Sequence, residues 1–281
     1  MIRIIPRLDI KGPNLVKGVH LEGLRVLGNP SDFASYYYET GADEIMFMDV
    51  VASLYERNSL HEIIESTAKE IFIPITVGGG IRTIDDIKNV LRCGADKVCI
   101  NTAAVKNPNF IKEASKIFGS STIVIAIEAI KQESGKFLAY TDNGREYTGL
   151  EVVDWAKKVT DLGAGEIVLT SVDNEGLGCG FNIDLIQKVS DEINIPLVAH
   201  GGAGKVSHLV DLFSETDSSA ACISSLFHYD FVKNSNSVFK KNKEEGNSKF
   251  ISEKRNFHVF DSCNISELKN GLTEKKIKCR I

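Results

Sequence analysis

The feature that most constrains this chain is an internal duplication. Ile73-Pro74-Ile75-Thr76-Val77-Gly78-Gly79-Gly80-Ile81 has a counterpart in Ile195-Pro196-Leu197-Val198-Ala199-His200-Gly201-Gly202-Ala203, and Gly41-Ala42-Asp43-Glu44-Ile45 has one in Gly163-Ala164-Gly165-Glu166-Ile167. Ile100-Asn101-Thr102-Ala103-Ala104 parallels Cys222-Ile223-Ser224-Ser225-Leu226, and all three pairs lie about 122 positions apart. Ile5-Pro6-Arg7-Leu8-Asp9 matches Val124-Ile125-Ala126-Ile127-Glu128 at nearly the same offset. Short β-branched runs alternate with amphipathic stretches throughout, which gives candidate strands at Arg3–Leu8, Glu44–Asp49, Ile75–Val77, Lys97–Ile100, Ile123–Ile127, Glu166–Leu169, Leu197–Ala199 and Ala220–Ile223. Runs this apolar suit parallel strands covered by helices. Two halves of four βα units each close into an α/β protein of the (β/α)8 barrel type, whereas an open doubly wound sheet has no need of the duplication.

The length of 281 residues suits one barrel domain spanning residues 1–281, a fold of about 250 residues, although length alone also admits two smaller domains. Helix starts are marked by capping boxes at Ser59-Leu60-His61-Glu62 and Thr148-Gly149-Leu150-Glu151, and by Asn107 before a proline at the first helical position, Pro108. Two segments break the pattern. Lys131–Tyr147, with Asp142-Asn143-Gly144, is expected to fold as a small hairpin over the barrel mouth. Lys233–Ser262 is rich in Lys, Asn, Ser and Glu and reads as a polar surface excursion, partly disordered, before a last helix at Ile265–Leu272.

The formal charge of -5 argues against nucleic acid as the main partner, because the sequence-independent part of that binding needs a basic surface. Cys93, Cys99, Cys179, Cys222, Cys263 and Cys279 form no Cys-x-x-Cys pair and no zinc spacing, so reduced thiols in a cytoplasmic protein are expected, with no metal and no organic cofactor. No run is long enough to span a membrane, and the apolar start, Met1–Arg7, reads as a strand rather than a signal peptide.

Barrel chemistry belongs at the carboxyl ends of the strands. Asp9 ends the first strand and Glu128 the fifth, two positions that face each other across a barrel mouth. Opposed carboxylates whose surroundings push their pKa values apart can act as general acid and base, whereas a lone one is ordinarily a solvated strand end. Lys17 and Asp49 orient Asp9 or the substrate, or form a plain loop ion pair. Gly78-Gly79-Gly80 is followed one strand later by Asn101-Thr102, and Gly201-Gly202 by Ser224-Ser225. Glycine turns next to helix starts let backbone N–H groups approach an anion, and two such cradles suit a substrate with a phosphate at each end. Arg3, Glu44, Lys97 and Glu166 stand at strand starts, at the opposite end; from the residues alone, structural pairing is preferred over a gate.

These residues resemble the cyclase subunit of imidazole glycerol phosphate synthase. The resemblance runs from about Met1 to Tyr229 and resumes in the last helix. It is carried by Arg7-Leu8-Asp9-Ile10-Lys11, Val16-Lys17-Gly18, Thr76–Ile81, Ala95–Val98 through Ile100–Ala104, Leu169-Thr170-Ser171 and Gly201-Gly202-Ala203-Gly204-Lys205. It implies a barrel that binds a bisphosphorylated ribulose intermediate, with a glutaminase docked at the amino-terminal end that sends ammonia through a charged gate and the core to the mouth. By the resemblance Asp9 is catalytic and Lys17 assists it. Gly80, Asn101 and Thr102 hold one phosphate. Gly176, Gly202, Ser224 and Ser225 hold the other, with Asp49, Thr170, His200 and Gly201 also against the substrate. Arg3, Glu44, Lys97 and Glu166 form the gate, and Asp96 meets the glutaminase.

The chain departs from that pattern around the mouth. Glu128 stands where the family has Asp, Arg7 where it has Cys, His200 where it has Ser, Glu175 where it has Asp and Leu177 where it has Thr. An added methylene displaces a carboxylate by over an ångström, and a misplacement of about 1 Å can cost ~10²-fold. Arg7 places a permanent positive charge beside Asp9; His200 either carries protons or fills space. The segment Arg7–Gly18, continuing through Leu21–Arg25, resembles a paralogous branch that accompanies amidation of surface-polysaccharide sugars, in which the barrel and its glutaminase supply a separate sugar amidotransferase. The expected function is therefore an ammonia-using cyclase-type subunit diverged toward that role. The alternatives are an authentic cyclase of histidine biosynthesis, or a non-catalytic ammonia conduit. An isomerase acting on a related phosphorylated aminoimidazole shares the cradles and the acids but leaves the gate unexplained.

Overall fold

The computed structural model describes residues 1–52, 60–234 and 260–280. The strands, in chain order, are β1 (Arg3–Lys11), β2 (Asn14–Val19), β3 (Glu22–Gly28), β4 (Ile45–Asp49), β5 (Ile75–Gly78), β6 (Lys97–Ile100), β7 (Ile123–Lys131), β8 (Phe137–Thr141), β9 (Glu146–Glu151), β10 (Glu166–Ser171), β11 (Leu197–His200) and β12 (Ala220–Ile223). Eight of them pair in parallel as β1-β4-β5-β6-β7-β10-β11-β12, and β12 pairs back onto β1. The sheet is a closed (β/α)8 barrel, and all eight expected strands lie on it. The duplication fixes the arrangement: β1 and β7, the first strands of the two halves, stand on opposite sides of the ring.

Strand alternation sorts the side chains into two cores. On β1, Ile4, Leu8 and Ile10 point outward into the large cluster under the helices. Ile5 points inward, into a separate cluster with Met46, Cys99, Val124, Val168, Val198 and Cys222 that fills the barrel interior. Arg3, Arg7 and Asp9 share the inward face with Ile5, so polar groups cap this apolar layer from both ends. Burial pushes the Cys99 thiol up to about 12, which keeps the layer uncharged.

Two antiparallel extensions rise from opposed strands. β1 continues into β2 and β3, a hairpin that the strand pattern did not reveal. β7 continues into β8 and β9, the small hairpin expected over Lys131–Tyr147. The capping box expected at Thr148 is absent, because pairing with β8 holds the chain extended through Glu151. Glu151 itself caps the following helix, accepting from the amides of Val153 at 2.9 Å and Asp154 at 3.1 Å. Pro108 has helical dihedrals but stands one residue before the helix Asn109–Phe118. The last helix runs Ile265–Glu274 and opens with a capping box of Asn264 and Glu267. Its Lys269 forms a buried pair with Asp43 at 2.9 Å, which ties the chain's end to the start of β4. Ser59 of the other expected capping box, and residues 235–259 of the expected polar excursion, lie outside the described residues.

Candidate active site

At the carboxyl ends of the strands the two glycine turns open onto separate spaces. The larger is a cavity of about 340 Å3 whose lining includes Asp49, Gly80, Asn101, Thr102 and Glu128. Gly79 has φ +96°, and a Cβ there would fall 2.2 Å from the backbone oxygen of Asp49, so only glycine brings this turn so close to β4. The β8–β9 turn leans over the cavity and adds Asp142 and Asn143 to its lining. The Gly144 amide donates to Glu128 Oε2 at 2.8 Å, and Thr102 Oγ1 donates to Asp142 at 3.3 Å. Burial drives the Glu128 carboxyl up to about 7, against the opposing pull of the Gly144 amide, the Arg7 charge and Asn101. A carboxyl poised there can both give and take a proton near neutral pH. Arg82 and Lys106 put cationic side chains on the lining of this cavity. Sequence reading missed both; the visible signal was a basic residue a few positions beyond each of Gly80 and Thr102.

The second space is a narrow cleft whose lining brings together Gly176, His200, Gly201, Gly202, Ser224 and Ser225, positions expected against the substrate, with Glu175, which was expected only to border the mouth. Gly202 has φ +106°, with its missing Cβ 2.0 Å from the Gly180 carbonyl oxygen. Ser224 Oγ donates to the Arg7 carbonyl at 3.0 Å.

Between the two spaces lies a buried polar network. Arg7 Nε donates to Asp9 Oδ1 at 2.8 Å. Arg7 Nη1 meets His200 Nδ1 at 3.3 Å, and Thr170 Oγ1 lies 3.1 Å from the same nitrogen. Burial opposes the Arg7 charge, but the neighbouring acidic groups, Asp9 first among them, together outweigh it, so the guanidinium stays protonated. His200 is held well below its usual range, first by burial and then by the charges of Arg7 and Lys17, and is neutral. Asp9 therefore lines neither space; its carboxylate is engaged by Arg7 beneath the mouth. Lys17 pairs with Glu175 rather than Asp9, and also donates to the Gly18 carbonyl at 3.0 Å. Glu175 accepts the Leu21 amide at 2.9 Å, which fastens the β2–β3 hairpin to the second cleft. Asp49 Oδ1 accepts the Val51 amide at 3.0 Å.

At the amino-terminal end the four charged residues meet in one ring. Arg3 reaches Glu44 at 3.1 Å and also Glu166, while Lys97 reaches Glu44 at 2.9 Å and Glu166 at 3.0 Å. Thr76 donates to the remaining Glu44 oxygen. Two cations and two anions cancel, so the ring is closed by paired charge rather than by bulk. Asp96 is exposed beside it, its carboxylate accepting the Ile75 amide at 2.8 Å.

Comparison with known proteins identifies the family. The family model described as "Histidine biosynthesis protein" matches residues 3–233. The chain is 58% identical over 205 residues to the imidazole glycerol phosphate synthase subunit HisF of Legionella pneumophila, covering 73% of this chain and 97% of that one. It is 46% identical over 230 residues to the subunit of the same name from Alkaliphilus metalliredigens (82% and 91% covered) and 49% over 228 residues to that of Lactococcus lactis subsp. cremoris (81% and 88%). With this coverage and identity, the chain belongs to the histidine-biosynthesis protein family, as a relative of the cyclase subunit HisF of imidazole glycerol phosphate synthase.

Proposed function

We propose that the chain is an ammonia-using lyase and cyclase of the imidazole glycerol phosphate synthase type, acting on a phosphorylated substrate at the carboxyl-terminal mouth. One observation carries this reading: the order of layers along the barrel axis. A ring of paired charges at one end is followed by an apolar, uncharged interior, and then by a mouth with an acid of raised pKa and a glycine cradle on either side. An apolar interior passes neutral ammonia far more readily than the ammonium ion, since an unpaired charge is costly to bury. In this reading a glutaminase docks around the ring, against Asp96, and supplies the ammonia. Gly80, Asn101 and Thr102 hold one phosphate, and Gly176, Gly201, Gly202, Ser224 and Ser225 hold the other. Asp49 and Thr170 position the substrate, Asp9 and Glu128 carry the proton transfers, and Lys17 supports the mouth through its pair with Glu175.

A second reading is favoured by the way the departures from the family pattern meet. Arg7 touches His200, Glu175 holds Lys17, and Arg7 acts on Glu128 through its charge. Substitutions concentrated in one network at the mouth, while the ring keeps its residues, fit a paralogue that delivers ammonia to a changed acceptor, such as a sugar amidotransferase. One experiment separates the two. The purified barrel is given the bisphosphorylated ribulose intermediate with ammonium, then with glutamine and a partner glutaminase. Imidazole product in both arms supports the cyclase. Glutaminase stimulation without product supports delivery to another acceptor, and neither effect overturns both.

A further inference from the structure

His200 is only 3% exposed, yet it belongs to the lining of the second cleft. Its two ring nitrogens have different surroundings. Nδ1 is taken, by Arg7 Nη1 at 3.3 Å and by Thr170 Oγ1 at 3.1 Å. Nε2 takes no hydrogen-bond partner among the described residues, and it is not among the side-chain atoms sealed from solvent without one. Accessible space at this residue is the cleft, so Nε2 is the atom that the ring offers there.

The chemistry of Arg7 decides what Nε2 carries. A guanidinium has five N–H donors and no acceptor. The nitrogen it meets must supply a lone pair, so Nδ1 is unprotonated. The imidazole is neutral, because it lies beside two cations in a buried site. Its single proton is then on Nε2. Arg7 is itself anchored by Asp9, so the order Asp9–Arg7–His200 hands a fixed N–H to the cleft. We propose that His200 is a specificity-determining donor of the second cradle, giving its Nε2–H to a phosphate or carboxylate oxygen held between Gly202 and Ser224, and that Arg7 is the positioning residue that sets this tautomer. The proposal rests on the reading of that cradle as an anion site, but not on any turnover.

The groups that face His200 are Arg7 from β1, with Asp9 bound to its guanidinium, Lys17 from β2, Thr170 from β10, Cys222 from β12 and Glu175 from the loop after β10. Glu175 would repel an anion, but its carboxylate is occupied by Lys17 and the Leu21 amide. A neutral donor suits such a place: it binds an anion without adding a third positive charge beside Arg7 and Lys17.

The test uses the full chain with 15N-labelled histidine and glycine, inorganic phosphate as the probe, and the Gly80 and Gly202 amides as reporters of the two cradles. The His200 signals are assigned by their loss in His200→Gln. The expected spectrum shows protonated Nε2 and bare Nδ1 from about pH 5.5 to 8, with the Nε2 proton shifting as phosphate binds. His200→Phe weakens phosphate at Gly202 about tenfold or more and leaves the Gly80 response unchanged, which shows that the barrel is intact. His200→Gln, which keeps an N–H, recovers part of the loss. In Arg7→Met the ring loses the guanidinium that fixes Nδ1 and titrates higher than in the wild type, though burial and Lys17 still hold it below its ordinary range, and the Nε2–H tautomer is no longer the sole neutral form. A proton on Nδ1, or undiminished phosphate binding at Gly202 in His200→Phe, overturns the proposal alone. Wild-type protein that shows no phosphate response at Gly202 overturns the cradle reading along with it.

Discussion

Replacing Asp9 with asparagine lowers turnover of the bisphosphorylated intermediate with ammonium by about 10²- to 10⁴-fold, the range for loss of a positioned proton-transfer group. The same position carries a second, separable effect. Asp9 is the hydrogen-bonded counter-charge of a fully buried guanidinium. Asp9→Ala leaves that charge unpaired, and breaking a buried pair from one side costs about 3–5 kcal/mol. Urea denaturation reads this directly. Adding Arg7→Met to Asp9→Ala removes the stranded charge and restores most of the stability, while turnover stays low. If the double variant regains both, or if Asp9→Asn turns over normally, Asp9 is a counter-ion and not a catalytic group.

Glu128→Gln gives the other large effect, and its sign depends on pH. The folded protein raises this carboxyl from 4.5 to about 7, chiefly by burial. A raised carboxyl binds its proton more tightly in the folded state. Its contribution is therefore fully present below pH 4.5 and is lost as pH rises through about 7. At roughly 1.4 kcal/mol per pH unit this amounts to about 3 kcal/mol. Glutamine is neutral at every pH and its carbonyl can still accept the Gly144 amide. Glu128→Gln is thus expected to match the wild type near pH 4 and to exceed its stability by about 3 kcal/mol at pH 8, measured by chemical denaturation at both values. Turnover falls about 10²-fold or more. A difference in stability that does not grow with pH would show that folding does not raise the Glu128 carboxyl. In the wild type the rate depends on pH around 7, where the acid is half protonated.

The two variants together probe the network that links the mouth. Arg7 pairs directly with Asp9 and lowers the Glu128 pKa through its charge, so neither acid is set by its own strand alone. That is why an arginine under the mouth has consequences on both sides of it. It also explains why Lys17 is better placed to hold the β2–β3 hairpin than to act on Asp9: its ammonium is committed to Glu175.

Much of this site could be read from the residues. Strand ends are local features, so the alternation of apolar residues located Asp9 and Glu128, and the duplicated glycine turns located Gly201, Gly202, Ser224 and Ser225 of the second cleft, whereas Gly176 and His200 were reached only through the family resemblance. The hairpin over the mouth was marked by Asp142-Asn143-Gly144, three consecutive residues with φ of 53°, 61° and 77°. The β2–β3 hairpin was not, because its burial does not alternate: Leu15, Val16 and Lys17 are buried in succession, and two register shifts break the pairing of β2 with β3. The start of the helix at Val152 was misplaced for a related reason: pairing with β8 overrides the local capping signal of Thr148.

By itself the sequence determined the ring of eight strands, which end of it carries Asp9, Glu128 and the glycine turns, and the positions at which glycine is required. Those follow from periodicity and from backbone sterics, which act over a few residues. Only the closed barrel decided which side chains share a space. It joined Arg7 to His200 across 193 positions and Lys17 to Glu175 across 158. Pairing of this kind depends on strand register and on the burial that raises Glu128 and keeps His200 neutral, and both come from the curvature of a sheet closing on itself rather than from any local stretch of chain.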